Sequence, residues 1–264
     1  MFKNLFKKKN KGNLFDKLFP LTQENKDKIE LKVRDLQKQM FSEEGFDNLI
    51  NTKREYDKNI IQFSNLKFDN FKWEKVDVDK SGDCYTNKFG DFLVINSIAP
   101  NGDMKRNSPS QIEVYRNWTR ELFVKENGGI ILCEDVKLSS GIELYESIGK
   151  ICRESTGMDY LYFLNIRNYN EQLLYQIQIK VQEAGITGLR DNIFMHSIYD
   201  LFEIDMGELM KQYRQDPYDK NFQEGNTMNI SEREEFDYLF PFHPLSIIRM
   251  DIKPRILKSL EFIK

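Results

Sequence analysis

Apolar residues at positions 29, 33, 36 and 40 of this chain (Ile29, Val33, Leu36 and Met40) fall on one stripe, with charges elsewhere, and predict a helix from Thr22 to about Phe41. Ser42, Glu43, Glu44 and Gly45 end it. A second helical stretch is expected over residues 47–63, carrying Leu49, Ile50, Tyr56, Ile60 and Ile61, so that the two form an antiparallel pair beside the main body. After Asn65 the spacing shortens to β-type runs over residues 71–78 and 91–98, separated by the turn-rich Lys80, Ser81, Gly82 and Asp83.

Helical spacing then returns. Ser108, Pro109, Ser110 and Gln111 make a strong helix start, and the helix they open is expected to bury Ile112, Tyr115, Trp118, Leu122 and Phe123 before Asn127, Gly128 and Gly129 stop it. Ile130 to Cys133 reads as a short buried strand. Ser140 and Glu143 have capping-box spacing, which predicts a helix to about Glu154 with Leu144, Ile148 and Ile151 inward. The firmest β signal follows, because Leu173, Tyr175, Ile177, Ile179 and Val181 alternate with more polar neighbours. With residues 160–166 as partner and a short turn at 168–171, they predict an antiparallel hairpin. A glycine-bracketed turn at 185–191 leads into a helix carrying Ile193, Phe194, Ile198, Leu201 and Phe202. The C-terminal part is irregular and ends in a helix over residues 245–262, interrupted near Pro254.

The pattern therefore predicts an α+β fold, a mainly antiparallel sheet flanked by helices in the manner of an α/β/α sandwich, with an N-terminal helical pair. It divides into a basic tail (1–20), the helical pair (21–66) and the sandwich domain with its irregular extension (67–264). A chain of 264 residues that is 40% hydrophobic and 13% aromatic can bury a sizeable core.

Charge changes this picture at one end only. Residues 1–19 hold six lysines against Asp16, which leaves 33 basic against 41 acidic groups in the remainder. An acidic body repels phosphate backbones, so no nucleic-acid partner is expected. In the tail, lysines accompany Phe2, Leu5, Phe6, Leu14, Phe15, Leu18 and Phe19 at helical spacings within each half, the pattern of a weak interfacial helix that would set Phe2, Phe6, Lys7, Lys8 and Lys9 against an anionic membrane. The alternative is a frayed segment whose last phenylalanines dock on the body, and the break at Gly12 favours it. No stretch has the roughly 20 apolar residues of a membrane span. Cytoplasmic location is expected, with peripheral contact to the inner membrane face if the tail binds lipid.

Chemistry is sparse. Cys84, Cys133 and Cys152 have wide spacing and an odd count, which argues for a reducing compartment and against a disulfide framework. With His196 and His243 as the only histidines, no metal site and no cofactor are expected. No dinucleotide fingerprint, nucleophile elbow or His-Glu-x-x-His pair occurs. The turn carrying Thr187, Gly188, Arg190 and Asp191 could offer backbone N–H groups and a guanidinium to an anion. The simpler account makes Thr187 a cap and pairs Arg190 with a carboxylate. His243, between Phe242 and Pro244, could move a proton, but packing in a proline-braced turn explains it better. Asp216 before Pro217 reads as a turn former.

The segments Asp216-Pro217-Tyr218-Asp219, Met228 to Glu232, Phe236-Asp237 and Phe240 to Ser246 resemble, in order and spacing, a C-terminal block of uncharacterised bacterial proteins. The middle of the chain is similar in pattern to the PsbP-like α/β/α sandwich. That resemblance implies a fold used mainly for binding partners and carries no catalytic residue. The expected function is accordingly a non-catalytic bacterial interaction module, an adaptor, chaperone-like or immunity-type partner of another protein. The alternative is a small-molecule-binding or hydrolytic enzyme built on the 185–191 turn and His243, which requires those residues to converge on one cavity.

Overall fold

A computed structural model describes residues 22–41, 56–76, 82–98, 111–139, 142–153, 157–183, 188–202 and 205–262. The architecture is α+β. In chain order its elements are α1 (Gln23–Met40), β1 (Ile60–Phe63), β2 (Leu66–Asp69), β3 (Glu74–Val76), β4 (Gly82–Thr86), β5 (Phe92–Ile98), α2 (Gln111–Lys125) and the long strands β6 (Gly129–Ser139), β7 (Ile142–Cys152), β8 (Met158–Asn168) and β9 (Leu173–Gln182). Helices α3 (Leu189–Phe202) and α4 (Met206–Tyr213) follow, then 3-10 turns at Ile230–Glu232 and Glu234–Leu239. The chain closes with α5 (Pro244–Ile247), a π turn (Ile248–Ile252), α6 (Lys253–Ser259) and β10 (Glu261–Phe262).

Seven strands form one antiparallel sheet in the order β3-β4-β5-β9-β8-β7-β6, and β1, β2 and β10 form a second, smaller one. The expected β8–β9 hairpin is present, with Tyr162 opposite Ile179 and Leu164 opposite Ile177. Strand parity puts Tyr160, Tyr162, Leu164 and Ile166 of β8 and Tyr175, Ile177, Ile179 and Val181 of β9 on one face. There they pack against Leu245, Ile248, Ile252 and Ile256 of the C-terminal helical run and against Leu66 and Phe68 of β2. The opposite face of β7 and β8 receives α2 through Phe123, Leu161 and Phe163. A separate core joins α1, α3 and α4 to the 3-10 turns through Val33, Ile193, Phe194, Tyr213 and Phe236.

Several expectations are corrected. Residues 142–152 are a strand, not a helix. Leu144 and Ile148, four apart, satisfy helical and strand spacing equally, and this strand is buried on both faces, by the main core on one and by α2 on the other, which erases the alternation that would have identified it. Ile60–Phe63, expected at the end of a second helix, is a strand paired with β2 across the boundary placed at residue 66. The rest of that expected helix up to residue 55, the helix start at 108–110 and the tail with Phe2, Phe6, Lys7, Lys8 and Lys9 lie outside the described residues. Residues 71–78 do not form one run: Phe71 and Lys72 adopt left-handed φ values of 58°, and the strand begins at Glu74. Trp118 and Leu122 of α2 face solvent instead of the core. Near Pro254 the interruption takes the form of the π turn, since proline has no N–H to return to the carbonyl four residues back. No helix among the described residues is long and apolar enough to cross a membrane.

Helix α2 lies so close to β7 that a Cβ on Gly149 would come 2.2 Å from the Phe123 ring. Gly149→Ala is therefore expected to destabilise the fold by about 1–3 kcal/mol, the range for overpacking a core. Chemical denaturation measures it, and an unchanged midpoint would show that Phe123 moves aside freely.

Candidate functional site

Where the N-terminal turn of α3 meets the ends of β7, β8 and β9, the C-terminal segment folds over the sheet and encloses a polar cavity of about 180 Å³. Strand parity places Lys150 of β7 on the same face as Leu144 and Ile148, so its ammonium enters the core, 2% exposed. Its counter-ion is Glu232, equally buried, at 2.7 Å.

Glu232 is held by its own turn. Asn229 caps the 3-10 turn and accepts from the Glu232 backbone N–H at 3.2 Å, while Glu232 Oε2 accepts from the Asn229 N–H at 2.8 Å, a reciprocal capping box. The same carboxylate accepts from Lys150 through both oxygens and from the Tyr160 hydroxyl at 3.0 Å. Burial pushes its pKa upward, but Lys150 and these hydrogen bonds together hold it below its ordinary value.

Arg190, in the first turn of α3, is the second buried charge. All five of its N–H donors have acceptors. Nε gives to Ser231 O at 2.8 Å, Nη1 to Asp237 Oδ1 and Ser246 Oγ at 2.9 Å each, and Nη2 to Ser231 O and, at 3.4 Å, to Arg233 O. Arg249 completes the pairing of Asp237 at 3.3 Å and gives to Glu232 O at 2.7 Å.

On the next wall, Glu183 accepts from the backbone N–H groups of Gly188 at 3.0 Å and Met158 at 3.2 Å. Burial raises its pKa against these bonds. Gly188 adopts φ +71°, a left-handed conformation that glycine takes without strain and that aims its N–H at Glu183. His243 Nε2 lies 3.8 Å from Glu183, its Nδ1 accepts from Leu245 N at the start of α5, and its ring meets Tyr160 edge-on at 4.9 Å. Asp191 accepts from the Tyr213 hydroxyl and lies 3.8 Å from Arg214.

Of the residues singled out in the sequence, Gly188, Arg190, Asp191 and His243 all line this one cavity, the convergence that the alternative reading requires. Thr187 lies outside the described residues. Lys150, Tyr160, Glu183 and Glu232 were missed as site residues. The signal for Lys150 was a single charge within the apolar run Ile148 to Cys152, but a helical reading turns it to solvent and only strand parity turns it inward. Elsewhere Asp216 is the expected turn former, accepting from the N–H groups of Tyr218 and Asp219, and it also holds Arg120 of α2 through two bonds at 2.9 and 3.1 Å. His196 is exposed and lies 3.7 Å from Asp200.

Chemically the cavity is rich in charge and poor in reactive groups. The Ser231 hydroxyl donates to Asn229 Oδ1 at 2.7 Å, so its proton is directed to the scaffold and not to His243. Cys84 and Cys133 are buried elsewhere, and burial pushes the Cys133 thiol up to about 12, far from a reactive thiolate. Among the described residues no three metal-ligating side chains come together. A second, apolar cavity of about 340 Å³ lies between α1 and α3, lined by Leu36, Met40, Met195 and Tyr199. No protein-family model matches the chain, and no curated protein matches it.

Proposed function

We propose that this protein is a non-catalytic interaction module of the bacterial cytoplasm, an adaptor, chaperone-like or immunity-type partner that binds another protein through the outer face of α2. The observation that carries this reading is an apolar stripe on that face. Val114, Trp118 and Leu122 recur every four residues and are 66%, 51% and 37% exposed, whereas Thr119 and Phe123 turn inward. A half-exposed tryptophan flanked by aliphatic side chains is the composition of an interface hot spot. Tyr115 stacks beside Trp118 at 6.0 Å and limits its motion, which lowers the entropy lost on docking. The saturation of Arg190 and Glu232 by protein groups supports the same reading, since side chains so fixed organise the fold and are not free to act on a substrate.

Capture from the native cell with wild type and Trp118→Ala tests it. The wild type should retain one stoichiometric partner, and the variant should bind it at least about 30-fold more weakly, the effect of losing roughly 2 kcal/mol at a hot spot. Folding stability should fall much less than binding does, because half of the side chain is exposed. Equal capture by both would refute the α2 face. Turnover of ester, phosphate or glycoside substrates that His243→Gln abolishes would refute the non-catalytic reading.

A further inference from the structure

The polar cavity holds bonding capacity that its own ion pairs do not use. We infer that it is a binding site for a small zwitterion of free amino-acid size, independent of the α2 face. Charge balance selects the class of ligand. Lys150, Arg190 and Arg214 are matched in number by Glu183, Asp191 and Glu232, with His243 beside Glu183, so the fixed charges of the lining show no large excess of one sign to hold a phosphate or a metal cation, and a guest with both signs disturbs the balance least.

The unused capacity fixes the orientation. Asn226 Oδ1 is a buried acceptor with no hydrogen-bond partner, on a residue that lines the cavity. An orphaned acceptor of this kind calls for a donor from outside the chain. The Asn226 amide nitrogen contacts Met158 Sδ at 3.8 Å, and the Met158 N–H in turn binds Glu183, so Asn226 and the Glu183 carboxylate belong to one wall. An ammonium belongs there. At the more open side Arg214 is half exposed, and its guanidinium lies 3.8 Å from Asp191, beyond a direct hydrogen bond. A carboxylate fits at Arg214, which can grip it through two N–H groups. The volume of about 180 Å³ suits a molecule of this size and excludes a nucleotide.

Calorimetry and thermal shift on the full chain test the site, with the common free amino acids at millimolar concentration as probes and inorganic phosphate as a control. One or a few amino acids should bind one per chain and raise the melting temperature. Their N-acetyl and carboxamide derivatives, each lacking one charge, should not bind. Asn226→Leu and Arg214→Met should each weaken binding about tenfold or more. Arg214→Met keeps the test open if Asn226→Leu fails to fold, because Arg214 is half exposed and outside the buried ion pairs. Binding of phosphate alone, equal binding of the capped derivatives, undiminished binding by Arg214→Met, or no binding by any amino acid would each overturn the assignment.

Discussion

Lys150→Met is expected to remove about 3–5 kcal/mol of folding stability, the cost of stranding one member of a buried ion pair. The ammonium and the Glu232 carboxylate are each 2% exposed, so the carboxylate left behind has little contact with bulk water. Glu232 would keep only the Tyr160 hydroxyl and the Asn229 N–H. The pH dependence carries the signature. In the wild type the Glu232 pKa is depressed, so the pair's contribution is present above the ordinary carboxylate range and is lost as pH falls through the folded value. Without Lys150 burial dominates and the pKa rises above that range, so the carboxylate protonates readily and the penalty shrinks on acidification. The penalty should therefore be largest near neutral pH. Pairing Lys150→Met with Glu232→Leu removes both members of the pair and strands neither, and the double variant is expected to lose less than the sum of the single losses by about 0.5–3 kcal/mol. Urea unfolding of the four proteins at neutral and acidic pH measures both effects. Strict additivity with a penalty independent of pH would show that the two side chains do not depend on each other.

What was legible in the sequence follows from how each element is buried. Strand β9 is wet on one face, so its alternation is visible and the β8–β9 hairpin is read correctly. Helix α1 is capped by Thr22, whose hydroxyl accepts from Asn25 N at 3.2 Å, and it packs only Ile29, Val33 and Gln37 deeply, which leaves its stripe readable. Strand β7 lies between β6 and β8 and is buried on both faces, so periodicity cannot separate it from a helix. The candidate site was half legible. The turn chemistry of Gly188, Arg190, Asp191 and His243 is local and could be seen, whereas Lys150, Glu183 and Glu232 acquire meaning only through strand parity and pairings across 82 residues of chain, as for Lys150 and Glu232.

Those distant pairings explain why the C-terminal part looks irregular yet is firmly placed. Asp216 holds Arg120 of α2, Glu232 holds Lys150 of β7, Asp237 holds Arg190 of α3, and Lys253 holds Glu146 of β7 at 2.7 Å. Each joins an acidic or basic residue of the last fifty or so positions to a buried opposite charge in an earlier element. The 3-10 turns bury Ile230, Phe236 and Leu239 in the core they share with α1 and α3, and the ionic contacts add defined geometry to that apolar packing.

Arg190→Met is expected to loosen this C-terminal segment specifically, with a loss of about 3 kcal/mol or more from the buried acceptors it leaves without a donor. The Ser231 and Arg233 carbonyls and the Ser246 hydroxyl would lose their common donor, while Asp237 keeps Arg249, so the segment is weakened without leaving an isolated buried anion. Arg190→Lys restores the charge but offers three donors in place of the planar five-donor fork, and it should recover less than half of the loss. Hydrogen exchange provides the local readout. Amides of residues 230–246 should open far more readily in Arg190→Met, while those of the β8–β9 hairpin, whose core lies on Tyr162, Leu164, Ile177 and Ile179, should keep their relative protection. A uniform loss of protection across both regions would show that Arg190 stabilises the whole sheet. A loss within about 0.5 kcal/mol, the range of an ordinary surface substitution, would mean that the cluster does not hold the segment and that its five-fold hydrogen bonding serves another purpose.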